Sequence, residues 1–155
     1  MPKVGVVLSG CGVFDGSEIH EATLTLLFLD KKGTEIIIMA PDCEQKDVIN
    51  HLKQEPLKEK RNVLVEAARI ARGNIINIKD VKAEDLDALI FPGGFGAAKN
   101  LSDFAEKGEN CTVHPEVERL IKQMHSQGKP MGFICIAPVL AAKVLGNKVQ
   151  VTIGN

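Results

Sequence analysis

The chain has 155 residues, of which 45% are hydrophobic and 25% are charged, and its formal net charge is −1. This length suits one domain with a sizeable core, and the composition is ordinary for a globular protein. No cluster of Lys and Arg offers a surface for nucleic acid or anionic lipid, and no apolar run has the length of a transmembrane helix. We therefore expect neither a nucleic-acid partner nor a membrane association.

Apolar runs that suit buried strands alternate with amphipathic stretches along the chain. Strands are predicted at residues 3–9, 35–40, 75–78, 87–91, 131–134 and 149–153. Helices are predicted at residues 18–32, 62–72, 97–104, 116–127 and 137–145, with Ser17 as the N-cap of the first. Residues 42–60 are polar and predict an irregular excursion. Strands and helices in alternation predict an α/β fold with a mostly parallel sheet that is covered on both faces.

Ligands of such folds bind beyond the carboxyl ends of the strands. Three loops lie there, at residues 9–18, 92–97 and 135–137, and we expect them to form one pocket. The last predicted strand ends where the chain does, with no helix after it to cover the sheet edge. We therefore expect a single domain over residues 1–155 from which C-terminal elements are missing.

Cys135 stands where a predicted strand turns directly into a helix, with Pro138 in the first helical turn. A nucleophile at such a bend is called a nucleophile elbow. The free N–H groups and the dipole of the helix favour the thiolate, which is the nucleophilic form of cysteine. The alternative is a cysteine that only packs in the core, and position alone does not decide between the two.

Two further segments carry candidate site residues. The glycine-rich turn at residues 92–96 could supply one N–H group of an oxyanion hole, with the second from Ile136, although a plain turn has the same composition. Glu18 and Glu21 open the first helix, where either carboxyl could share a proton with Cys135, or simply favour the helix dipole. His20 lies between them and could reach the same pocket.

Cofactor and metal motifs are weak. Glycines at positions 10, 12 and 16 have the spacing G-x-G-x-x-x-G, one residue away from the dinucleotide fingerprint. The four cysteines and four histidines show no metal-ligand spacing. All the histidines precede Cys135, so no histidine follows it to complete a Cys-His-Glu triad. We expect neither a cofactor nor a metal.

Four segments together resemble one protein family. They are VLSGCGVFDGSEIHEA at 7–22, RNVLVEAARIARG at 61–73, FPGGFGAAKNL at 91–101 and CIAP at 135–138. This pattern is similar to the ElbB group, in the DJ/PfpI branch of the class I glutamine amidotransferase-like superfamily. The resemblance implies a flavodoxin-like three-layer α/β/α sandwich and a homodimer.

The resemblance also implies residue roles. Cys135 matches the elbow nucleophile, Glu21 matches its acid partner better than Glu18 does, and Gly94 and Ile136 match the oxyanion donors. Gly93, Glu18 and His20 would lie around the pocket, as would Asn155, which stands where many relatives carry a histidine. The elbow reads Phe-Ile-Cys-Ile-Ala where amidotransferases have G-x-C-x-G. Asn155 in place of that histidine argues against general-base catalysis by histidine, and with it against amidotransferase or protease activity.

The activity that the resemblance implies is a cofactor-independent glyoxalase, a glyoxalase III-type lyase. It would turn a small aldehyde, glyoxal or methylglyoxal, into glycolate or lactate through a cysteine hemithioacetal. The first alternative is a non-catalytic or redox-sensing protein with an oxidisable elbow cysteine. A glutamine amidotransferase is a further alternative.

Scattered cysteines without pairs indicate a reducing compartment. Because the chain enters a strand directly after Met-Pro-Lys, with no targeting segment in view, we expect a cytoplasmic protein. A mitochondrial location is the alternative if the source is eukaryotic and a leader has been removed.

Overall fold

The computed structural model describes residues 1–152, which form strands and helices in alternation. The strands are β1 (Lys3–Val7), β2 (Glu35–Ala40), β3 (Ile49–Asn50), β4 (Glu55–Pro56), β5 (Ile76–Asn77), β6 (Ala88–Phe91) and β7 (Met131–Phe133). The α-helices are α1 (Ile19–Lys31), α2 (Val63–Ala71), α3 (Phe95–Lys99), α4 (Phe104–Lys107), α5 (Pro115–Ser126) and α6 (Pro138–Leu145). Short 3₁₀ turns follow at Ile78–Asp80, Ala83–Asp85, Gly108–Asn110 and Gly146–Lys148.

Five strands form one sheet in the order β5-β2-β1-β6-β7, and all of its pairings are parallel. The register places Val4 beside Ile36 on one side and beside Ala88 on the other. From β1 the chain runs first outward through β2 and β5, and then returns to β6 on the opposite side. The direction of winding therefore reverses between β1 and β6, which is where doubly wound sheets open a crevice for ligands.

Helices cover both faces of this sheet. Successive residues of β1 point to opposite faces, so that Val6 packs against α1 and α2, while Val7 packs against α5 and α6. Both side chains are buried, which explains why this strand is apolar from Val4 to Val7, after the exposed Lys3. The predicted flavodoxin-like α/β/α sandwich with a parallel sheet is confirmed.

Some predicted elements were wrong. The helix predicted at 97–104 is two short helices, α3 and α4, separated by an isolated bridge from Ser102 to Val113. Residues 42–60 contain the small antiparallel pair β3–β4. Over residues 149–152 there is no strand, because the Val149 N–H closes a turn with the Gly146 carbonyl, 3.4 Å away, and Gln150 and Val151 are exposed. Residue 153 lies outside the described residues.

The N-cap of α1 is Glu18, whose side chain accepts a hydrogen bond from the Glu21 N–H at 2.7 Å. The predicted cap, Ser17, is buried instead and accepts a hydrogen bond from the Ser9 N–H at 2.8 Å. Sequence favours a short polar side chain at an N-cap, but here the loop needs Ser17 to hold the end of β1.

Asn100 fixes the loops at the carboxyl ends of the strands. Its buried amide Nδ2 donates to the Ser9 and Asp15 carbonyls, both at 2.9 Å, and its Oδ1 accepts from the Lys46 N–H at 2.9 Å. One side chain thus holds the loop after β1, the loop after β2 and the end of α3 together. Both N–H donors of this amide and its oxygen therefore have partners in the protein.

Asn100→Asp is expected to lower the free energy of unfolding by about 2 kcal/mol or more, because two buried carbonyls lose their donor and face a carboxylate. Urea unfolding followed by circular dichroism measures the loss. Asn74→Asp is the matched control, since Asn74 is exposed and its substitution should change little. Equal midpoints for the two variants would contradict the role given to Asn100.

Candidate active site

Cys135 lies at a strained bend between β7 and α6. Its φ of 57° is in the left-handed region, which costs a residue with a side chain about 1–2 kcal/mol. The bend is held by hydrogen bonds on both sides, from the Ile134 N–H to the Phe91 carbonyl and from the Ala137 N–H to the Ile134 carbonyl, each at 3.0 Å. Cys135 is exposed to solvent. The fold therefore holds this thiol in an unfavourable conformation that makes it accessible, as happens at functional sites.

Glu21 reaches the same place from the first turn of α1. Its Oε2 accepts a hydrogen bond of 2.7 Å from the Gly93 N–H, in the loop after β6. A Cβ atom on Gly93 would lie within 2.5 Å of both Glu21 Oε2 and the Cβ of Cys135. The Glu21 carboxylate and the Cys135 side chain are therefore close neighbours, and only a glycine fits between them.

A small cavity of about 140 Å³ opens beside these two residues. Its walls are Val13, Glu18, Glu21, Gly94, Phe95, Cys135 and Ile136. Neither the Gly94 N–H nor the Ile136 N–H has a hydrogen-bond acceptor among the described residues. Two unpaired amide donors beside a thiol suit a negatively charged oxygen formed on a bound substrate.

Glu18 also borders this cavity, but its carboxylate is engaged in capping α1. Burial has the largest single effect and raises the pKa of Glu18. The hydrogen bonds from the Glu21 N–H and from His20 together outweigh burial, so the pKa lies below its usual value. Both Glu18 oxygens are thus engaged, Oε2 by the Glu21 N–H and Oε1 by His20, whereas Glu21 has a hydrogen bond at Oε2 only among the described residues. The free Oε1 of Glu21 favours Glu21 over Glu18 as the group that transfers protons.

The other candidate residues lie elsewhere. The His20 side chain is 90% exposed, binds Glu18 Oε1 through Nδ1 at 3.0 Å, and does not line the cavity. The expectation that His20 reaches the pocket is therefore wrong, because its position on α1 directs the ring to solvent. Asn155 lies outside the described residues. Gly93 contributes through its backbone, since its N–H binds Glu21 and its carbonyl accepts from the Glu18 N–H at 2.9 Å.

The glycines after β1 make a close backbone contact. A Cβ on Gly94 would collide with the Gly16 carbonyl and the Glu18 N–H, and the Gly96 N–H donates to the Gly16 carbonyl at 2.8 Å. The loop after β1 is thus packed against the start of α3, with Gly16 at the contact. Within residues 1–152, no group of three His, Cys, Asp or Glu residues lies close enough to bind a metal ion.

Two cavity-lining residues were not identified from sequence, namely Val13 and Phe95. Both are apolar residues in glycine-rich loops, where an apolar side chain has no core to enter. An apolar residue in a glycine-rich loop is therefore the sequence signal that could have identified Val13 and Phe95 as pocket residues. It does not indicate which loops meet. The Phe95 N–H donates to the Val13 carbonyl at 2.8 Å, so each residue fixes the other.

Residues 11–153 match the model of the DJ-1/PfpI family, and the chain belongs to that family. The chain is therefore one of the amidotransferase-like α/β proteins that carry a cysteine at the elbow, as the resemblance implied. A solved relative is the isoprenoid biosynthesis protein with amidotransferase-like domain from Ehrlichia chaffeensis. It has a TM-score of 0.91 and 39% identity, over 96% of this chain and 70% of that chain.

Among curated proteins, the chain is similar to the ES1 protein homolog, mitochondrial, of Rattus norvegicus, with 58% identity over 99% of this chain. The glutamine amidotransferase-like class 1 domain-containing protein 3, mitochondrial, of Homo sapiens is 57% identical over 99% of this chain. The chain spans only 58% and 57% of the length of these two relatives.

Both relatives are named as mitochondrial, as is the ES1 protein of Danio rerio. These names agree with the mitochondrial alternative and give no support to the cytoplasmic expectation. In the described part of the chain, the helices are too short or too polar to cross a membrane.

Gly93→Ala is expected to displace the Glu21 carboxylate or the Cys135 side chain, because its methyl group would overlap both. Such overpacking costs about 1–3 kcal/mol, measurable as a lower midpoint in urea. The control is Gly132→Ala on the adjacent strand β7, where the nearest atom to the new Cβ is 3.6 Å away, on Ile90. Similar stabilities for Gly93→Ala and Gly132→Ala would show that Gly93 is not a tight contact.

Proposed function

We propose that this protein is a cofactor-independent glyoxalase of the ElbB-like subgroup, which converts glyoxal to glycolate and methylglyoxal to lactate. The observation that carries the proposal is the pairing of an exposed, strained thiol at Cys135 with the Glu21 carboxylate across Gly93. The cavity beside them, of about 140 Å³, suits a substrate of a few heavy atoms. It combines a nucleophile, an acid–base group and oxyanion donors.

In the first step, the Cys135 thiolate attacks the aldehyde carbon of the substrate. A carbon–sulfur bond forms, and the electron pair of the carbonyl moves to its oxygen. The Gly94 and Ile136 N–H groups would donate hydrogen bonds to this oxyanion, because both border the cavity and have no acceptor in the described part of the chain. Uptake by this oxyanion of a proton, equal to the one that the Cys135 thiol lost on ionising, gives the hemithioacetal.

In the second step, Glu21 moves a proton between two carbons. Its carboxylate takes the proton from the former aldehyde carbon while the neighbouring carbonyl oxygen takes up a proton, giving an enediol. Glu21 then returns its proton to the adjacent carbon, and the hydroxyl on the first carbon loses its proton. The first carbon is thereby oxidised to a thioester while the second carbonyl, a ketone in methylglyoxal and an aldehyde in glyoxal, is reduced to an alcohol, so no external oxidant is consumed. Water then cleaves the thioester, releasing the hydroxy acid and the Cys135 thiol. The Gly93 N–H keeps the carboxylate in place for both transfers.

A glutamine amidotransferase is less well supported. That chemistry needs a base for the cysteine, which in a Cys-His-Glu triad is a histidine. None of the described residues that line the cavity is a histidine. The names of the two relatives describe an amidotransferase-like domain and do not state an amidotransferase activity.

An oxidation-sensing role is the second candidate, since accessibility also exposes Cys135 to peroxide. The other free cysteines, Cys11, Cys43 and Cys111, are partly or fully buried, and burial raises the pKa of both Cys11 and Cys43. Peroxide would therefore act first at Cys135. Intact-mass measurement after mild peroxide, alongside turnover assays, separates a sensor from an enzyme.

We further propose a mitochondrial location and a homodimer. The location follows the names of the three curated relatives. The dimer is supported by α1, on which Leu24, Leu27 and Phe28 are 48–58% exposed although they are large and apolar. Analytical ultracentrifugation determines the oligomeric state.

Cys135→Ala is expected to abolish formation of lactate from methylglyoxal, because the covalent intermediate cannot form. Lactate is measured enzymatically in purified protein. Cys43→Ala is the control, since it removes a half-buried thiol that does not line the cavity. Turnover retained by Cys135→Ala would end the covalent mechanism.

Glu21→Gln is expected to lower kcat by roughly 10²–10⁴-fold, because the amide cannot carry the proton between the two carbons. Its stability should stay close to that of the unmodified protein, since the amide oxygen still accepts from the Gly93 N–H. Steady-state kinetics and a thermal melt are measured on the same preparation. An unchanged kcat would assign the proton transfer to another group.

A further inference from the structure

A second cavity lies next to the one at Cys135. It has a volume of about 290 Å³ and is lined by Phe14, Ile49, Gln54, Phe95 and Lys99. We call it the outer cavity, and the one lined by Cys135 the inner cavity. Phe95 lines both, and the successive residues Val13 and Phe14 line the inner and the outer cavity respectively. The two spaces therefore share a wall and adjoin each other.

We propose that the outer cavity is a subsite for the carbonyl substituent of the substrate, and that it favours 2-oxoaldehydes with an aromatic substituent over those with a methyl group. This inference rests on the proposed function, because it concerns the substrate of the same thiol. The aldehyde carbon would lie at Cys135, and the substituent would extend past Phe95 into the outer cavity. The inner cavity alone, at about 140 Å³, leaves little room for an aromatic ring beside the reacting atoms.

The aromatic wall is held in place before any ligand arrives. The Phe14 N–H donates to His51 Nε2 at 3.2 Å, and the Phe14 carbonyl accepts from Lys99 Nζ at 2.9 Å. The Phe14 and His51 rings lie 5.0 Å apart between centroids. Phe95 is fixed through its N–H on the Val13 carbonyl. With both backbones fixed and the Phe14 ring set against His51, less remains to be ordered when a third ring binds, which favours affinity.

Charge in the outer cavity argues for an uncharged substituent. Lys99 Nζ is paired with Asp47, at 3.2 Å from Oδ1 and 3.1 Å from Oδ2, and lies 5.7 Å from the centre of the Phe95 ring. Its positive charge is therefore balanced before a ligand binds. A carboxylate or phosphate on the substrate would meet the Asp47 carboxylate as well as Lys99, so it would gain little.

The test compares two α-chloroketones that carry the same reacting carbon. Chloroacetone has a methyl group on its carbonyl, and 2-chloroacetophenone has a phenyl group. With either reagent, Cys135 Sγ displaces chloride, so that a carbon–sulfur bond forms as the carbon–chlorine bond breaks. The rate at Cys135 is followed by peptide mass spectrometry and divided by the rate of the same reagent with N-acetylcysteine. This correction removes the intrinsic reactivity of the two reagents.

We expect the corrected rate to favour the phenyl reagent by roughly tenfold in the unmodified protein, as burial of part of a ring predicts. Phe14→Ala and Phe95→Ala should each bring this ratio close to one. Phe104→Ala is the matched control, because it removes a half-buried phenylalanine on α4 that borders neither cavity, and its ratio should stay near tenfold. A ratio near one in the unmodified protein would overturn the subsite, as would a ratio unaffected by both Phe14→Ala and Phe95→Ala.

Alkylation needs no glyoxalase turnover, so the two proposals fail separately. A phenyl preference without lactate formation would retain the subsite and refute the glyoxalase activity. Lactate formation without a phenyl preference would retain the activity and refute the subsite. Where turnover is present, kcat/KM for phenylglyoxal relative to methylglyoxal should fall in Phe14→Ala in the same way.

Discussion

The hydrogen bond from the Gly93 N–H to the Glu21 carboxylate is the contact on which the site depends. It joins residues that are 72 positions apart in the chain, and it ties the first turn of α1 to the loop after β6. The reversal of winding between β1 and β6 brings these segments together. The bend at Cys135 then lies against the same glycine. Loss of this one bond would free the carboxylate from the thiol and leave a partly buried N–H without a partner.

Close backbone packing explains why glycine occurs at successive positions here. Gly93 leaves room for the side chains of Glu21 and Cys135, whereas Gly94, with a φ of 98°, lies directly against the backbone of residues 16–18. The two glycines thus meet different requirements, one for side chains and one for backbone. A strained cysteine at the neighbouring bend adds a cost of about 1–2 kcal/mol that packing of β7 and α6 must offset. The site is built at the expense of local stability.

Sequence predicts the elements of this fold well where the pattern itself is local. Strand β2 has the predicted bounds, because the glycine that ends the preceding helix and the proline that follows the apolar run mark both ends of the strand. The strand predicted at 149–153 shows the limit, since an apolar run cannot supply its own sheet partner, and residues 149–152 form none. Cys135 and Glu21 were predicted through motifs. Asn100, Val13 and Phe95 were not, because their roles exist only once separate loops meet.

The small inner cavity also bears on how such a site would select substrates. Apart from the carboxyl groups, the Cys135 thiol and the Gly94 and Ile136 N–H groups, its walls are apolar, so an aldehyde bound as proposed would make few polar contacts beyond its reacting atoms. Discrimination between alkyl substituents in an apolar space is worth only about 1–3 kcal/mol, which is modest. Selectivity must therefore come from the space beyond the reacting atoms. In this molecule that space is bounded by Phe14 and Phe95, both held through their backbones. Under the proposed function, the size and shape of the substituent would therefore decide which aldehydes react.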